Sequence, residues 1–281
     1  MVPQAQLLML SSPLVRAYPL ARRAWQISRY ALRRPITHSE DFAAFARFPE
    51  RTGLFLDVGA SSGTSAMTFR VFNRRNPILS IEPNAILERE LRVVKRIVPR
   101  FDYRIAAAGD ERGTMTLFVP FYRGVALTAY SSSSRDDLVH ERGGLRDRLG
   151  DRVESPHFRI GEVTAELLPL DDLALSPDFI KIDVEGAEGR VLQGAADTIR
   201  IHRPTVILEF DPRLAVRREV DLVDVISTLT TSSYRLRALD RPSGPEAIDA
   251  FNVAAVPVER SIDSRIGRPI DIPNLRAVLA R

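Results

Sequence analysis

Asp183, Glu185, Glu209 and Asp211 are the residues whose types and spacing could do chemistry. Asp183 closes the apolar run Phe179–Ile182, and Glu185 follows two residues later. Glu209 and Asp211 leave the run Thr205–Leu208 in the same way. Short apolar runs of this kind suit strands buried on both faces. In open α/β sheets ligands bind beyond the carboxyl ends of strands, which is where these acids fall. Such acids can take a proton from a hydroxyl or hold a hard cation such as Mg²⁺ through oxygen alone. Asp183 is the first choice for either role. Asp183 and Glu185 form the candidate catalytic pair, and Asp183, Glu209 and Asp211 the candidate metal set. The structural alternative is that the acids cap helix starts and pair with Lys181 or Arg190.

A second constellation lies earlier in the chain. Leu54–Leu56 ends at Asp57, and Gly59 and Gly63 then punctuate a loop of small residues before a helical stretch from Thr64 to Phe72. The glycines permit positive φ and close approach of a ligand to the backbone. The helix start offers N–H groups to an anion. The third glycine of a dinucleotide fingerprint is missing, and Asp57 would repel a pyrophosphate. A ligand carrying a carboxylate and an ammonium group suits this loop better, and S-adenosylmethionine has both together with a sulfonium. Ala60, Ser61 and Thr64 complete the loop. Glu82 ends the next run, Ile78–Ile81, at the distance from the loop where an acid meets a ribose diol. Asn84, placed to cap the following helix through about Val98, joins the cofactor set. Tyr103–Ala107 reads as a third strand, and the small residues Ala106–Gly109, with Ala107 among them, leave room for an adenine ring.

The 281-residue chain can bury a sizeable core, and its 44% hydrophobic and 27% charged content is that of a globular protein. With no cysteine there is no disulfide framework and no thiolate site. A net charge of +4, carried by scattered arginines, argues against nucleic acid as a partner. No apolar run is long enough to span a membrane, and Leu7–Leu10 is too short for a signal peptide, so a cytoplasmic location is expected. Residues 1–50 form a basic helical extension, 51–260 the α/β domain, and 261–281 a tail without usable pattern. Arg16–Arg34 alternates arginine with aromatic and aliphatic residues. The favoured reading is a capping helix that packs Trp25 on the domain. The other is a peripheral membrane contact through residues 14–34. Asp41–Phe48 and Glu219–Leu229 read as further helices. Thr114–Val119 reads as a hairpin strand, residues 120–160 as a substrate loop or lid, Phe158–Leu170 as a return strand, and Tyr234–Leu239 and Phe251–Val256 as closing strands. His140 and His157 receive no role.

Taken in order, LFLDVGASSGTSA, SIEPN, AAAGDERGTMTLFVP, LDDL, FIKIDVEGAEGRVLQGA and RPTVILEF resemble the FkbM-type branch of the class I S-adenosylmethionine-dependent methyltransferases. The resemblance implies a Rossmann-like α/β fold with a seven-stranded, mostly parallel sheet whose last strand is antiparallel. It implies that Asp57, Gly59 and Gly63 surround the methionine part of the cofactor and that Glu82 holds its ribose. It also implies O-methylation of a hydroxyl on a small molecule: a sugar, glycolipid or natural product. The rival readings are a nicotinamide-binding Rossmann oxidoreductase, which Asp57 and the missing glycine disfavour, and a non-catalytic cofactor-binding scaffold at a membrane surface.

Overall fold

The run at residues 54–56 becomes the central strand of a sheet covered on both faces. The computed structural model describes residues 18–34, 45, 52–139, 145, 149–210, 229, 231–239, 251–260 and 268–270. Among the described residues a helix α1 (Tyr18–Ala31) comes first. Strands β1 (Leu54–Val58), β2 (Ile78–Glu82) and β3 (Phe101–Ile105) follow, joined by helices α2 (Thr64–Phe72) and α3 (Glu88–Ile97). Next come β4 (Ala107–Ala108), β5 (Gly113–Tyr122), β6 (Val125–Ala126), a short helix α4 (Arg135–Val139) and β7 (Phe158–Leu168). Strand β8 (Pro177–Ile182) leads through α5 (Glu188–Gln193) and α6 (Ala196–His202) to β9 (Thr205–Phe210). Strands β10 (Tyr234–Ala238), β11 (Phe251–Pro257) and β12 (Arg268–Pro269) close the fold.

The large sheet runs β12-β10-β11-β9-β8-β1-β2-β3. Strands β2, β1, β8 and β9 pair in parallel, and β11 lies antiparallel between β9 and β10. This is the expected class I arrangement, extended by the two-residue β12 on the edge of β10. The order reverses between β1 and β8, which makes their carboxyl ends the topological switch point where open α/β sheets bind ligands. Successive side chains of β1 point to opposite faces. Phe55 stacks on Phe69 of α2 at 4.0 Å between ring centroids, with Phe45 edge-on to both. Leu56 and Val58 instead join Ile180, Ile182, Val191 and Ile199 on the α5–α6 side.

The structure shifts several expected elements. The third strand ends at Ile105: the Ala106 N–H donates the last rung of the β2–β3 ladder to the Glu82 carbonyl, and Ala107–Ala108 then pairs with β7 in a second sheet, β4-β7-β5-β6. Strand β5 pairs antiparallel with β7 from Gly113↔Leu167 to Tyr122↔Phe158. The excursion between them buries Leu127, Tyr130, Leu138, Leu145 and Leu149 in a small core of its own. Asn84 caps a 3₁₀ turn, Ala85–Leu87, before α3 begins. Gly194 closes α5 with φ −75°, so no left-handed cap requires it; a Cβ there would meet the Gly109 carbonyl at 1.8 Å. The helices read over Asp41–Phe48 and Glu219–Leu229 lie outside the described residues, apart from Phe45 and Leu229.

Candidate functional site

Two loops cross at the switch point. Gly59, directly after β1, has φ +81°, and a Cβ on it would meet the Asp183 carbonyl oxygen at 1.8 Å. The Asp183 N–H in turn donates to the Val58 carbonyl at 3.0 Å. Only glycine permits this approach, so the small-residue loop and the acidic strand end are held in backbone contact.

The loop is braced from beneath. Asp57 has no exposed surface. Its Oδ2 accepts from Ser65 Oγ at 2.5 Å and from Ser80 Oγ at 2.9 Å, which ties the first turn of α2 to β2. Burial raises the Asp57 carboxyl above its ordinary value; the Lys181 charge and the two hydroxyls oppose that. The structure places the Asp57 carboxylate beneath the loop, where it pins the first turn of α2 against β2. Glu82, 6% exposed, accepts from Ser61 N–H at 2.7 Å and Asn84 N–H at 2.8 Å. Burial pushes it up to about 7, although both N–H groups pull the other way. Ser61 is exposed with φ +48°, while Ala60 and Gly63 are buried, Gly63 against Leu91 and Val94. Ala107 is buried one residue past the Ala106–Glu82 hydrogen bond.

The facing edge is charged. Lys181, buried on β8, donates to Asp183 Oδ2 at 2.7 Å. Asp183, Glu185 and Glu209 each bring a carboxylate oxygen within 4.8 Å of the others. Asp211 lies outside the described residues. Burial works to raise Asp183, but the Lys181 ammonium and hydrogen bonds from Lys181 and Glu209 outweigh it and hold Asp183 below the carboxylate range. Glu209 goes the other way. Burial, with Asp183 and Glu185 as like charges, pushes it up to about 9. At neutral pH the pair shares one proton, held on Glu209. Glu185 is exposed and left-handed at φ +54°, a sparsely populated conformation for a non-glycine residue.

A family model described as the methyltransferase FkbM domain matches residues 57–236, from Asp57 into β10. The chain belongs to this family. Among solved structures, the methyltransferase FkbM of Methylobacillus flagellatus is 18% identical with a TM-score of 0.47, over 86% of this chain and 59% of that one. Precorrin-6y C5,15-methyltransferase of Geobacter metallireducens is 12% identical at TM-score 0.42, over 79% and 90%. Fibrillarin of Aeropyrum pernix, solved with natively bound S-adenosyl-L-methionine, is 15% identical at 0.40, over 74% and 67%. The chain thus spans less than two thirds of the first of these. No curated protein sequence matches it.

Residues outside the predicted site set also build this edge, and Lys181 makes the pairing with a strand-end acid that the sequence offered as the structural alternative. Glu188 is buried and accepts from the Val184 and Gly186 N–H groups at 3.2 and 3.1 Å, fixing the turn that carries Glu185. Its signal was an acid two residues past Gly186. Lys181 is one of only two lysines in an arginine-dominated chain, and a compact ammonium suits a narrow buried position better than a guanidinium. Arg190, by contrast, pairs with Asp110 and Glu111 rather than with the strand-end acids. Helix α1 supplies the third surprise. It meets the Gly loop through polar side chains: Arg23 Nη1 donates to the Ser62 carbonyl at 3.1 Å and Gln26 Nε2 to Thr64 Oγ1 at 3.2 Å. Arg23 also donates to the Glu90 carbonyl. Trp25, expected to pack on the domain, is 46% exposed.

Proposed function

We propose that this FkbM domain transfers the methyl group of S-adenosylmethionine to a hydroxyl of a sugar, glycolipid or natural-product acceptor, with Asp183 receiving the hydroxyl proton. The observation that carries the reading is the split carboxyl pair at the tips of β8 and β9, set against the Gly loop. The hydroxyl oxygen attacks the sulfonium methyl. The carbon–sulfur bond breaks with its electrons left on sulfur, giving a methyl ether and S-adenosylhomocysteine, and the proton passes to the Asp183 carboxylate. The positive sulfur activates the methyl, so the protein must supply position and a base.

The loop from Gly59 to Thr64 is assigned to the methionine part, whose carboxylate meets the first-turn N–H groups of α2. Glu82 is assigned to the ribose, because each of its oxygens keeps a lone pair beyond the N–H it accepts. Asn84 positions Glu82 through its N–H, and Ala107 stands by the adenine.

A Mg²⁺ ion among Asp183, Glu185 and Glu209 is a second reading, favoured by the approach of their oxygens. The Lys181 ammonium and the Glu209 proton already offset two of the three negative charges of that cluster, which weakens its pull on a divalent ion, and no step is drawn through one. Turnover is expected to survive EDTA; loss of activity that Mg²⁺ restores would reassign the acids as ligands. The central test pairs calorimetry with S-adenosylmethionine and NADH with labelled-methyl transfer into glycolipid extracts. Binding of the methyl donor alone, followed by label in an ether, supports the reading. NADH binding, or donor binding with no transfer to any hydroxyl acceptor, overturns it.

A further inference from the structure

We infer that α1 seats the domain on an anionic lipid surface. The inference is independent of the acceptor proposed above. Helix α1 has its polarity inverted. Its buried side chains are Arg23 and Gln26, turned to the Gly loop. Its outward face, recurring at three- and four-residue spacing, is Ala21, Ala24, Trp25, Ser28 and Leu32, all exposed. Leu32 continues the helical geometry, its N–H donating to the Ser28 carbonyl. Leu20 at 71% and Leu32 at 67% exposure mark the two ends of this face. A helix normally buries its apolar stripe; this one buries Arg23 and Gln26 beside a half-buried Tyr30 and leaves Leu20, Trp25 and Leu32 exposed.

Charge decides what covers that face. Residues 18–34 contain five arginines and no acid. Arg29 lies over the Trp25 ring at 5.4 Å, and Arg33 and Arg34 are exposed where the helix ends. A second copy of the chain packed face to face would set these arginines against one another. Anionic headgroups complement them, and a Trp- and Leu-bearing face rimmed with arginine matches a helix lying in the interfacial plane. No described helix is long and apolar enough to cross a membrane, so the contact is one of lying on the bilayer. The same helix carries the Gly loop on its inner side, which would hold the cofactor edge near the membrane surface.

Trp25 is the only tryptophan in the chain and reports the contact directly. Vesicles of phosphatidylcholine with about one third phosphatidylglycerol should shift its emission to the blue and sediment the protein. Pure phosphatidylcholine should bind at least about ten-fold more weakly, and salt near about 0.5 M should release the protein. Arg29→Glu should weaken sedimentation about five-fold or more. Trp25→Ser combined with Leu20→Ser should abolish it with unchanged circular dichroism. Should that double variant fail to fold, the lipid and salt dependence of the wild-type emission decides alone. An unmoved spectrum with anionic vesicles overturns the proposal. So does an emission that is already blue and varies with protein concentration, which would assign the face to a second copy, and so does a response to duplex nucleic acid in place of vesicles.

Discussion

The two edges of the site are built on opposite terms. On the Gly-loop edge, Asp57 and Glu82 have four short donors between them, two hydroxyls and two backbone N–H groups. That edge is preorganised and nearly closed to solvent, as a binding surface should be. On the strand-end edge, three carboxylates crowd one ammonium, one of them is forced to keep a proton, and Glu185 sits in a strained conformation. Unrelieved charge and strain gather where chemistry is carried out. Under the proposed function the first edge recognises the donor and the second carries the reaction, and each assignment can be broken separately.

The sharpest break is Asp183→Asn. If the strand-end edge reacts and does not bind, kcat should fall about 10²- to 10³-fold while the donor's dissociation constant stays within about two-fold. Single-turnover transfer and calorimetry on the same preparation read the two quantities. A variant that keeps full turnover removes Asp183 from the mechanism, and one that loses donor affinity alone merges the two edges.

Glu82→Gln tests the other side. Losing one acceptor and the charge should weaken donor binding about ten-fold or more, with kcat for bound donor little changed. It has a second readout in stability. The folded value of Glu82, about 7, lies above its ordinary 4.5. The folded chain therefore keeps a proton that the unfolded chain releases, and ionising Glu82 costs stability as pH rises through that window. The penalty is absent below about 4.5 and complete above about 7, amounting to roughly 3 kcal/mol. The wild-type minus variant difference in unfolding free energy should change by about that much, against the wild type, between these limits. A flat difference in urea titrations would place the Glu82 carboxyl in water.

Glu209→Gln should act mainly at high pH. With Glu209 held up to about 9, the Asp183–Glu209 pair takes a second negative charge only above that point, beside Glu185. Wild-type kcat should then decline, and the variant, neutral throughout, should lose that limb of the profile while keeping most of its activity near neutrality. A limb that survives the substitution belongs to another group.

How much of this could be read from residues alone depends on how local the signal was. Helix α2 begins and ends where Gly63 and the Thr64–Phe72 pattern put it, because turn and helix are encoded within a dozen positions. The convergence of Asp183, Glu185 and Glu209 was legible for another local reason: each closes or follows an apolar run, and runs of that kind become neighbouring parallel strands. The proton shared between Asp183 and Glu209 was not legible, since it depends on burial and on Lys181 lying two residues back across the same tip. Ala107–Ala108 departed for a second sheet because its partner, β7, lies some sixty residues downstream, a pairing that no local pattern specifies. Helix α1 defeated the reading of Trp25 because amphipathicity tells which residues share a face and not which face turns inward. There Ser62 and Thr64 offered polar partners, and Arg23 and Gln26 turned inward.

The smallest expected effect is the most diagnostic of strain. Glu185 holds a left-handed φ of +54° next to Gly186 at +95°, in a turn fixed by Glu188. A side chain there costs about 1 kcal/mol that glycine would not. Glu185→Gly removes both that strain and one of the like charges that raise Glu209, while adding backbone freedom to the unfolded chain. The variant should unfold at equal or slightly higher denaturant, by no more than about 1 kcal/mol. Its alkaline limb should move down from about 9, since Glu209 loses a repulsive neighbour, and its turnover should drop only a few-fold if Asp183 alone takes the proton. A larger loss would make Glu185 a full partner in proton transfer. A clear destabilisation would mean that the Glu185 side chain, and not the turn beneath it, holds the reactive edge in place.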